Sequence, residues 1–489
     1  MIKPSSYVPF ALLPAVLFLL FLSCKKEALP VPEPTKRTAE QLVKDSVYYY
    51  FNKYSLWSDA ATVDQSAVAA FTDKYDSPLG VLNALKSMTP THAAYNGAID
   101  RFSYLEQDGH DGLQATGDTQ LGAGFGLYLS IGAVSETMAY PVVYFVEGGS
   151  AAERAGIRRS DVILGIDEQQ DLGMPINCGA NGCSIVNEQQ QQHVVNRLLS
   201  AMEQRSMRIK VRHADNSEIV LSLTSTPYDI NPIVKKAIFN YPAKRIGYLA
   251  LSSFEELAEG QLNRYRLDQV FQEFESSQIN DLILDLRYNT GGYISAAEYV
   301  ANRVIGPQAD NTLMYKYQLN AWLSQRSNWK GQSFDDVYFR RRGNLDLNTV
   351  YFLVTDITAS ASELLINVLR PYMKVVIIAE NDATYGKPVG FFKQEIMGET
   401  ALWAASFKLI NSRGESDYWD GINADQRNVT DYIFADFGDP EESMLSAALT
   451  QSLGGQKPSA TMSTFKKTVK TRKTRIAQVN AIPQTNMFR

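Results

Sequence analysis

The spacing of apolar and polar positions divides the chain into three stretches. Over 37–108, Val43, Tyr48, Tyr50, Phe51, Trp57, Val81 and Leu85 sit at mixed helical spacing and predict a mostly helical region. Over 120–226 the apolar runs are short and β-rich, at 126–131, 141–146, 162–166, 207–212 and 219–223. A helix is predicted over 188–204. Over 227–455, apolar strands (246–251, 281–286, 349–354, 375–380, 402–410) alternate with helices near 261–275, 294–304 and 361–372. That alternation predicts an α/β domain around a largely parallel sheet. The Gly- and Asp-rich run 109–119 reads as a linker.

The N-terminus has a different pattern. One cation, Lys3, precedes an apolar run over 8–22, shorter than the ~20 residues of a spanning helix and of the length of a signal-peptide core. It ends in Phe21-Leu22-Ser23-Cys24. A small residue before Cys resembles a bacterial lipoprotein processing site, with Cys24 as the lipidated first residue, although Phe21 departs from the usual Leu. The alternative is a plain secretory signal with an incidental Cys. Three prolines over 29–35 suit an extended tether. The expected organisation is a leader over 1–23, a tether over 24–36, a helical region over 37–114, a β-rich domain over 115–226, an α/β domain over 227–455 and a basic tail over 456–489. The protein is expected to be exported and lipid-anchored to a bacterial membrane, the outer one favoured, facing the periplasm. In that oxidising space Cys178 and Cys183 are expected to pair across Cys-Gly-Ala-Asn-Gly-Cys, whose small residues let the chain turn back.

Charge removes other classes. The net charge is −6, and 456–489 holds eight Lys or Arg with no acid, leaving −14 on the rest. Such an acidic body is a poor partner for nucleic acid. The tail reads as a mobile end rather than a binding arm. The four histidines, His92, His110, His193 and His213, show no metal-ligand spacing, and all precede residue 214. No metal and no cofactor is expected, and the α/β stretch has no histidine to activate a nucleophile.

Two strand-to-helix junctions hold the candidate chemistry. At Leu284-Asp-Leu-Arg-Tyr-Asn-Thr-Gly-Gly292 a strand ends in a Gly pair, where exposed N–H groups can stabilise an oxyanion. Asp285 and Arg287 read more simply as a structural ion pair. At Val350-Tyr-Phe-Leu-Val-Thr-Asp-Ile-Thr-Ala-Ser-Ala-Ser-Glu363, Ser360 stands at a helix start with Glu363 three residues on. This is the spacing of a capping box, so Ser360 reads either as an N-cap or as a nucleophile favoured by the helix dipole. Without histidine the remaining strong base is a lysine whose pKa burial lowers. Lys387 lies between the apolar runs 375–380 and 389–392.

Two resemblances sharpen this reading. Residues 120–226 resemble a PDZ domain, in which Gly122-Ala-Gly-Phe-Gly126 corresponds to the carboxylate-binding loop. Gly124, Phe125 and Gly126 are then the peptide-binding residues, and the adjoining strand edge can pair with an extended peptide. Residues 37–450 resemble the carboxyl-terminal processing (tail-specific) proteases, serine–lysine endopeptidases with a PDZ domain and a crotonase-like α/β catalytic domain. The resemblance rests on Asp285-Leu-Arg-Tyr-Asn-Thr-Gly-Gly292, Ser360-Ala-Ser-Glu363, Tyr385-Gly-Lys387 and Gly421-Ile-Asn-Ala-Asp425, in the family's order. It implies Ser360 as nucleophile rather than Ser362, and Lys387 as general base. It further implies an oxyanion hole from Gly291, Gly292 and the Ala361 amide, and protein or peptide substrates with free C-terminal tails. Two departures stand out. The Ser360-to-Lys387 interval is two residues longer than usual. Phe391 occupies the position where many members carry a Gln that orients the lysine, and Gln394 lies at an offset that faces the other way. The alternatives are a catalytically inert lipoprotein that binds peptides in the PDZ groove, and a crotonase-related enzyme acting on a thioester.

Overall fold

The computed structural model describes residues 36–107, 121–179, 182–398, 400–456 and 473–481. The expected leader, Cys24, nearly all of the tether and the 109–119 linker lie outside the described residues. The chain forms a mixed α/β, multi-domain fold.

The N-terminal region starts on the helix Ala39–Tyr54. Gln41 donates its backbone N–H to the Thr38 hydroxyl, while Thr38 donates its own to the Gln41 side chain. Val43, Val47 and Phe51 from this helix, and Val81, Leu82 and Leu85 from Pro78–Ser87, close one core with Ile396, Leu402 and Ala404 of the α/β domain. One expectation needs correction here. Tyr104–Gln107, predicted within the helical region, is a strand antiparallel to Thr400–Asn411, with Leu105 opposite Leu402. Four residues are too few to display a period of two, and the pairing is made 293 to 299 positions away.

The β-rich domain is one sheet in the order Glu218–Thr224, Ser206–Arg212, Val162–Ile166, Met138–Val146, Leu127–Ala133, Thr474–Gln478. The helix Glu188–Met202 is capped by Asn187, whose side chain accepts the Gln190 N–H, and packs Val194, Leu198 and Ala201 into the sheet's core. Met174–Gly179 and Gly182–Ile185 form a hairpin in which Cys178 stands opposite Cys183 and is joined to it by a disulfide. The sixth strand corrects a second expectation. Thr474–Gln478, in the tail read as a mobile end, is antiparallel to Leu127–Ala133. The run of basic and hydroxyl residues hid Ile476 and Val479, which join the apolar core of this domain.

The α/β domain carries a five-stranded sheet: Ile233–Asn240, Arg245–Leu251, Asp281–Asp285, Thr349–Val354 and Lys374–Ala379. The first strand is antiparallel and the rest are parallel. Both faces are covered, which is why the parallel strands read as unbroken apolar runs. Leu282, Leu284, Val350 and Phe352 face the helices Leu262–Ser276, Ile294–Val304 and Ala361–Leu369. Ile283, Tyr351 and Leu353 face Ser443–Ser452. The run 402–410, expected in this sheet, belongs to a second, antiparallel one. There Thr400–Asn411 pairs with Val389–Ile396 and Leu313–Leu319. Met397 and Gly398, both at positive φ, reverse the chain between Val389–Ile396 and Thr400–Asn411 and turn a would-be crossover into a hairpin. Asp285 pairs with Leu353, so the two strand-to-helix junctions leave the sheet side by side at its carboxyl edge.

Candidate active site

The first junction is set by a buried ion-pair cluster. Arg287 grips Asp285 through two bonds of 2.9 and 2.7 Å, and reaches Asp431 at 2.8 Å and Glu442 at 3.0 Å. Tyr248 donates to Asp285 at 2.7 Å. Asp285 and Arg287 are therefore structural partners that fix where the turn begins. Beyond them Asn289 ties the two junctions together. Its carbonyl accepts from the Ala359 N–H and the Ser362 hydroxyl, and its side chain accepts the Gly291 N–H at 2.9 Å. That last bond alters the expected oxyanion hole: the Gly291 amide is engaged within its own turn, leaving Gly292 and Ala361 as candidate donors. Ala361 is the first residue of its helix, where the N–H has no intrahelical acceptor.

At the second junction Ser360 has φ 58 and ψ −117, a conformation that non-glycine residues rarely adopt and that strains the turn. Gly291 makes the turn possible. A Cβ there would sit 2.7 Å from Ser360 Cβ, and one on Gly292 would sit 2.2 Å from the Phe254 carbonyl oxygen. Ser362, the internal competitor, is fully buried with its hydroxyl on the Asn289 carbonyl. Ser360 instead lines a cleft of about 400 Å³.

Glu363 joins this junction to the lysine. Its carboxylate accepts from the Ser360 N–H (2.9 Å), the Thr384 hydroxyl (2.6 Å), the Gly386 N–H (2.7 Å) and the Lys387 N–H (2.8 Å). The capping-box spacing was legible in the sequence. Its reach across to the lysine loop was not, because it depends on a contact 24 residues away. Burial raises the Glu363 pKa, and these hydrogen bonds pull it back in part. The loop has two further supports. A Cβ on Gly386 would strike the Trp419 carbonyl, and one on Gly421 the Thr384 carbonyl, which accounts for glycine in Tyr385-Gly-Lys387 and at the head of Gly421-Ile-Asn-Ala-Asp425. Arg101, from the N-terminal region, donates to the carbonyls of Tyr385 (3.1 Å) and Gly386 (3.2 Å). Sequence reasoning missed Arg101, and no local signal marks it.

Lys387 is 1% exposed and lines the same cleft as Ser360. Burial pushes its amine well below the usual lysine range, and the charge of Glu363 opposes this only in part. Its Nζ lies 4.4 Å from the centroid of the Phe391 ring. The side chain at the unusual position is therefore in contact with the lysine it replaces a Gln for. Gln394 donates to the Phe392 carbonyl and does not line the cleft. The walls are mostly apolar, from Ile294, Leu364, Phe392, Phe407 and Leu409, with Ser295 and Glu298 as polar members.

The Gly122–Gly126 loop lies in the β-rich domain. Gly124 (φ 83) and Gly126 (φ 64) hold left-handed conformations, and a Cβ on Gly126 would overlap Ser150 Cβ at 2.2 Å. The Phe125 side chain is buried in the domain core. Among the described residues, no group of His, Cys, Asp and Glu is placed to hold a metal ion.

Residues 245–427 match Peptidase family S41. The chain is 25% identical over 276 residues to the chloroplastic carboxyl-terminal-processing peptidase 2 of Arabidopsis thaliana, covering 54% of this chain and 46% of that protein. It is 26% identical over 251 residues to the chloroplastic C-terminal processing peptidase of Tetradesmus obliquus, covering 49% and 46%. The chain thus spans about half the length of these curated relatives. A crystal structure described as an S41 protease from Bacteroides fragilis is similar with a TM-score of 0.61, over 87% of this chain and 100% of that one. Its 20% identity makes this a likeness of fold.

Proposed function

We propose that this chain, which carries a Peptidase family S41 domain over 245–427, is a serine endopeptidase with a Ser360–Lys387 dyad. One observation carries the reading: a buried lysine with a depressed pKa shares an apolar-walled cleft with a serine on a strained turn, and one carboxylate clasps the backbone of both. The neutral Lys387 amine takes the Ser360 hydroxyl proton as Oγ attacks the scissile carbonyl. The Gly292 and Ala361 amides face the developing oxyanion. The Lys387 ammonium then protonates the leaving amine. In the second half-reaction the amine deprotonates the water that attacks the acyl carbonyl, and the ammonium so formed returns the proton to Ser360 Oγ as the acyl group leaves.

The family's protein substrates fit the apolar cleft. The finer reading is a crotonase-like catalytic domain and a PDZ-type domain over 115–226, whose Gly124–Gly126 backbone receives the C-terminal carboxylate of an exported substrate. Cys24 would anchor the chain by lipid to a bacterial membrane facing the periplasm. The order of strands and the two helices packed on the β-rich sheet, Ala151–Arg154 and Glu188–Met202, support the PDZ reading. Incubating the protein with casein tests the activity. The wild type is expected to digest casein, and a folded Ser360→Ala protein to lose cleavage to background. Equal digestion by both, or none by either, would favour an inert peptide-binding lipoprotein.

A further inference from the structure

The sheet of the β-rich domain ends on a strand drawn from the far end of the chain. Thr474 stands opposite Ala133, Arg475 opposite Gly132, Ala477 opposite Ile131 and Gln478 opposite Ser130. The strand runs antiparallel toward the Gly122–Gly126 loop and covers the edge of the strand that leaves that loop. Past the ladder the pairing continues in another form. Val479 donates its N–H to the Leu129 carbonyl at 2.9 Å. The Asn480 side chain accepts from the Leu129 N–H at 2.8 Å and donates to the Leu127 carbonyl at 3.0 Å. A side-chain amide thus stands in for a backbone amide at the last paired position, and Tyr144 holds the Asn480 carbonyl at 2.9 Å.

This is the geometry of an extended peptide added to a sheet edge. The strand is also weakly anchored for a member of a core sheet. All seven residues of Leu127–Ala133 are buried, whereas Val479 alone is buried between 473 and 481. Its side chains reach the α/β domain at two places: Lys473 lies over the Phe434 ring, and the half-buried Arg475 stands 3.8 Å from the buried Asp431.

We propose that residues 473–481 are the resident occupant of a peptide-docking edge, and that an extended segment of another protein takes this edge by displacing them. The partner is a chain end or loop that presents an apolar side chain at the Val479 position and a backbone or carboxamide pair at the Asn480 position. This rests on the reading of the Leu127–Ala133 edge as a peptide dock, and the test separates the two claims.

The probe is a fluorescein-labelled peptide with the sequence of residues 473–481, followed by anisotropy. The full-length Ser360→Ala protein, which cannot cut the probe, is compared with the same chain carrying Val479→Asp and Asn480→Ala. A second variant, Ala477→Pro, disrupts the ladder without adding charge. Circular dichroism melting confirms that each is folded. Both tail variants are expected to bind the peptide at least tenfold more tightly than the chain with its tail intact. Equal, measurable binding to all three would keep the dock and overturn the resident occupant. A lack of binding to every folded protein would overturn the dock and the proposal with it.

Discussion

The proposed role as a base near neutral pH needs a lysine kept from its ordinary charge, and enclosure pushes the Lys387 amine in that direction. Activity should therefore rise with pH as the amine loses its proton, giving an ascending limb in the pH–rate profile. Phe391 acts against this, because a ring face attracts the ammonium by about 0.5–2 kcal/mol. At ~1.4 kcal/mol per unit, Phe391→Leu should move the ascending limb toward acid by roughly 0.4–1.5 pH units. A limb unmoved or shifted toward alkaline pH would show that the ring does not hold the amine. The serine, the lysine and the Gly pair were legible because each lies in a short motif at a strand end. The engagement of the Gly291 amide was not, since it turns on which way the Asn289 side chain folds back.

The elements around the site are joined by one carboxylate. Glu363 is on the first turn of Ala361–Leu369, yet two of its four bonds go to the backbone of the lysine loop. In Glu363→Gln, one oxygen becomes an NH2 group facing N–H donors. The loss should be about 1–3 kcal/mol of stability, and the turnover number should fall by more than the folded fraction does. Thermal melting and kcat on the same preparation check this. A variant of normal melting temperature and normal kcat would remove the clasp. At this scale the parallel strands were legible from unbroken apolar runs. The strands Tyr104–Gln107 and Thr474–Gln478 were not, because each is short and is made by a partner hundreds of residues away.

Across the whole molecule, the buried cluster beneath the first junction joins the two larger domains. Arg159 of the β-rich domain and Arg287 of the α/β domain both bind Asp431, and Arg287 also binds Glu442. Burial alone would raise the Asp431 pKa. The two guanidiniums and the Tyr288 hydroxyl reverse this and hold it well below the usual carboxylate range. A depressed folded-state pKa contributes stability above the unfolded value of about 3.9, and this is lost as pH falls through the folded value. Asp431→Asn should therefore cost about 3–5 kcal/mol at pH 7, since it leaves two buried cations short of their partner. The gap to wild type should narrow as pH drops below about 4. Urea midpoints at pH 7 and pH 3.5 measure it, and a gap independent of pH would contradict the assignment. The domain order was legible from periodicity, but this cluster was not, because its members lie 144 and 272 positions apart in sequence.

The dyad itself is tested most directly by Lys387→Arg. Arginine keeps the positive charge and approximate length of lysine but stays protonated at any pH the fold survives. If Lys387 only pairs with a carboxylate, arginine should serve. If it must accept the Ser360 proton, arginine cannot. The measurement is the initial rate of casein cleavage by Lys387→Arg beside wild type, after circular dichroism shows the same fold, across pH 6 to about 9. The account predicts a rate at the Ser360→Ala background at every pH. A folded Lys387→Arg protein that cleaves casein at near wild-type rate would contradict it.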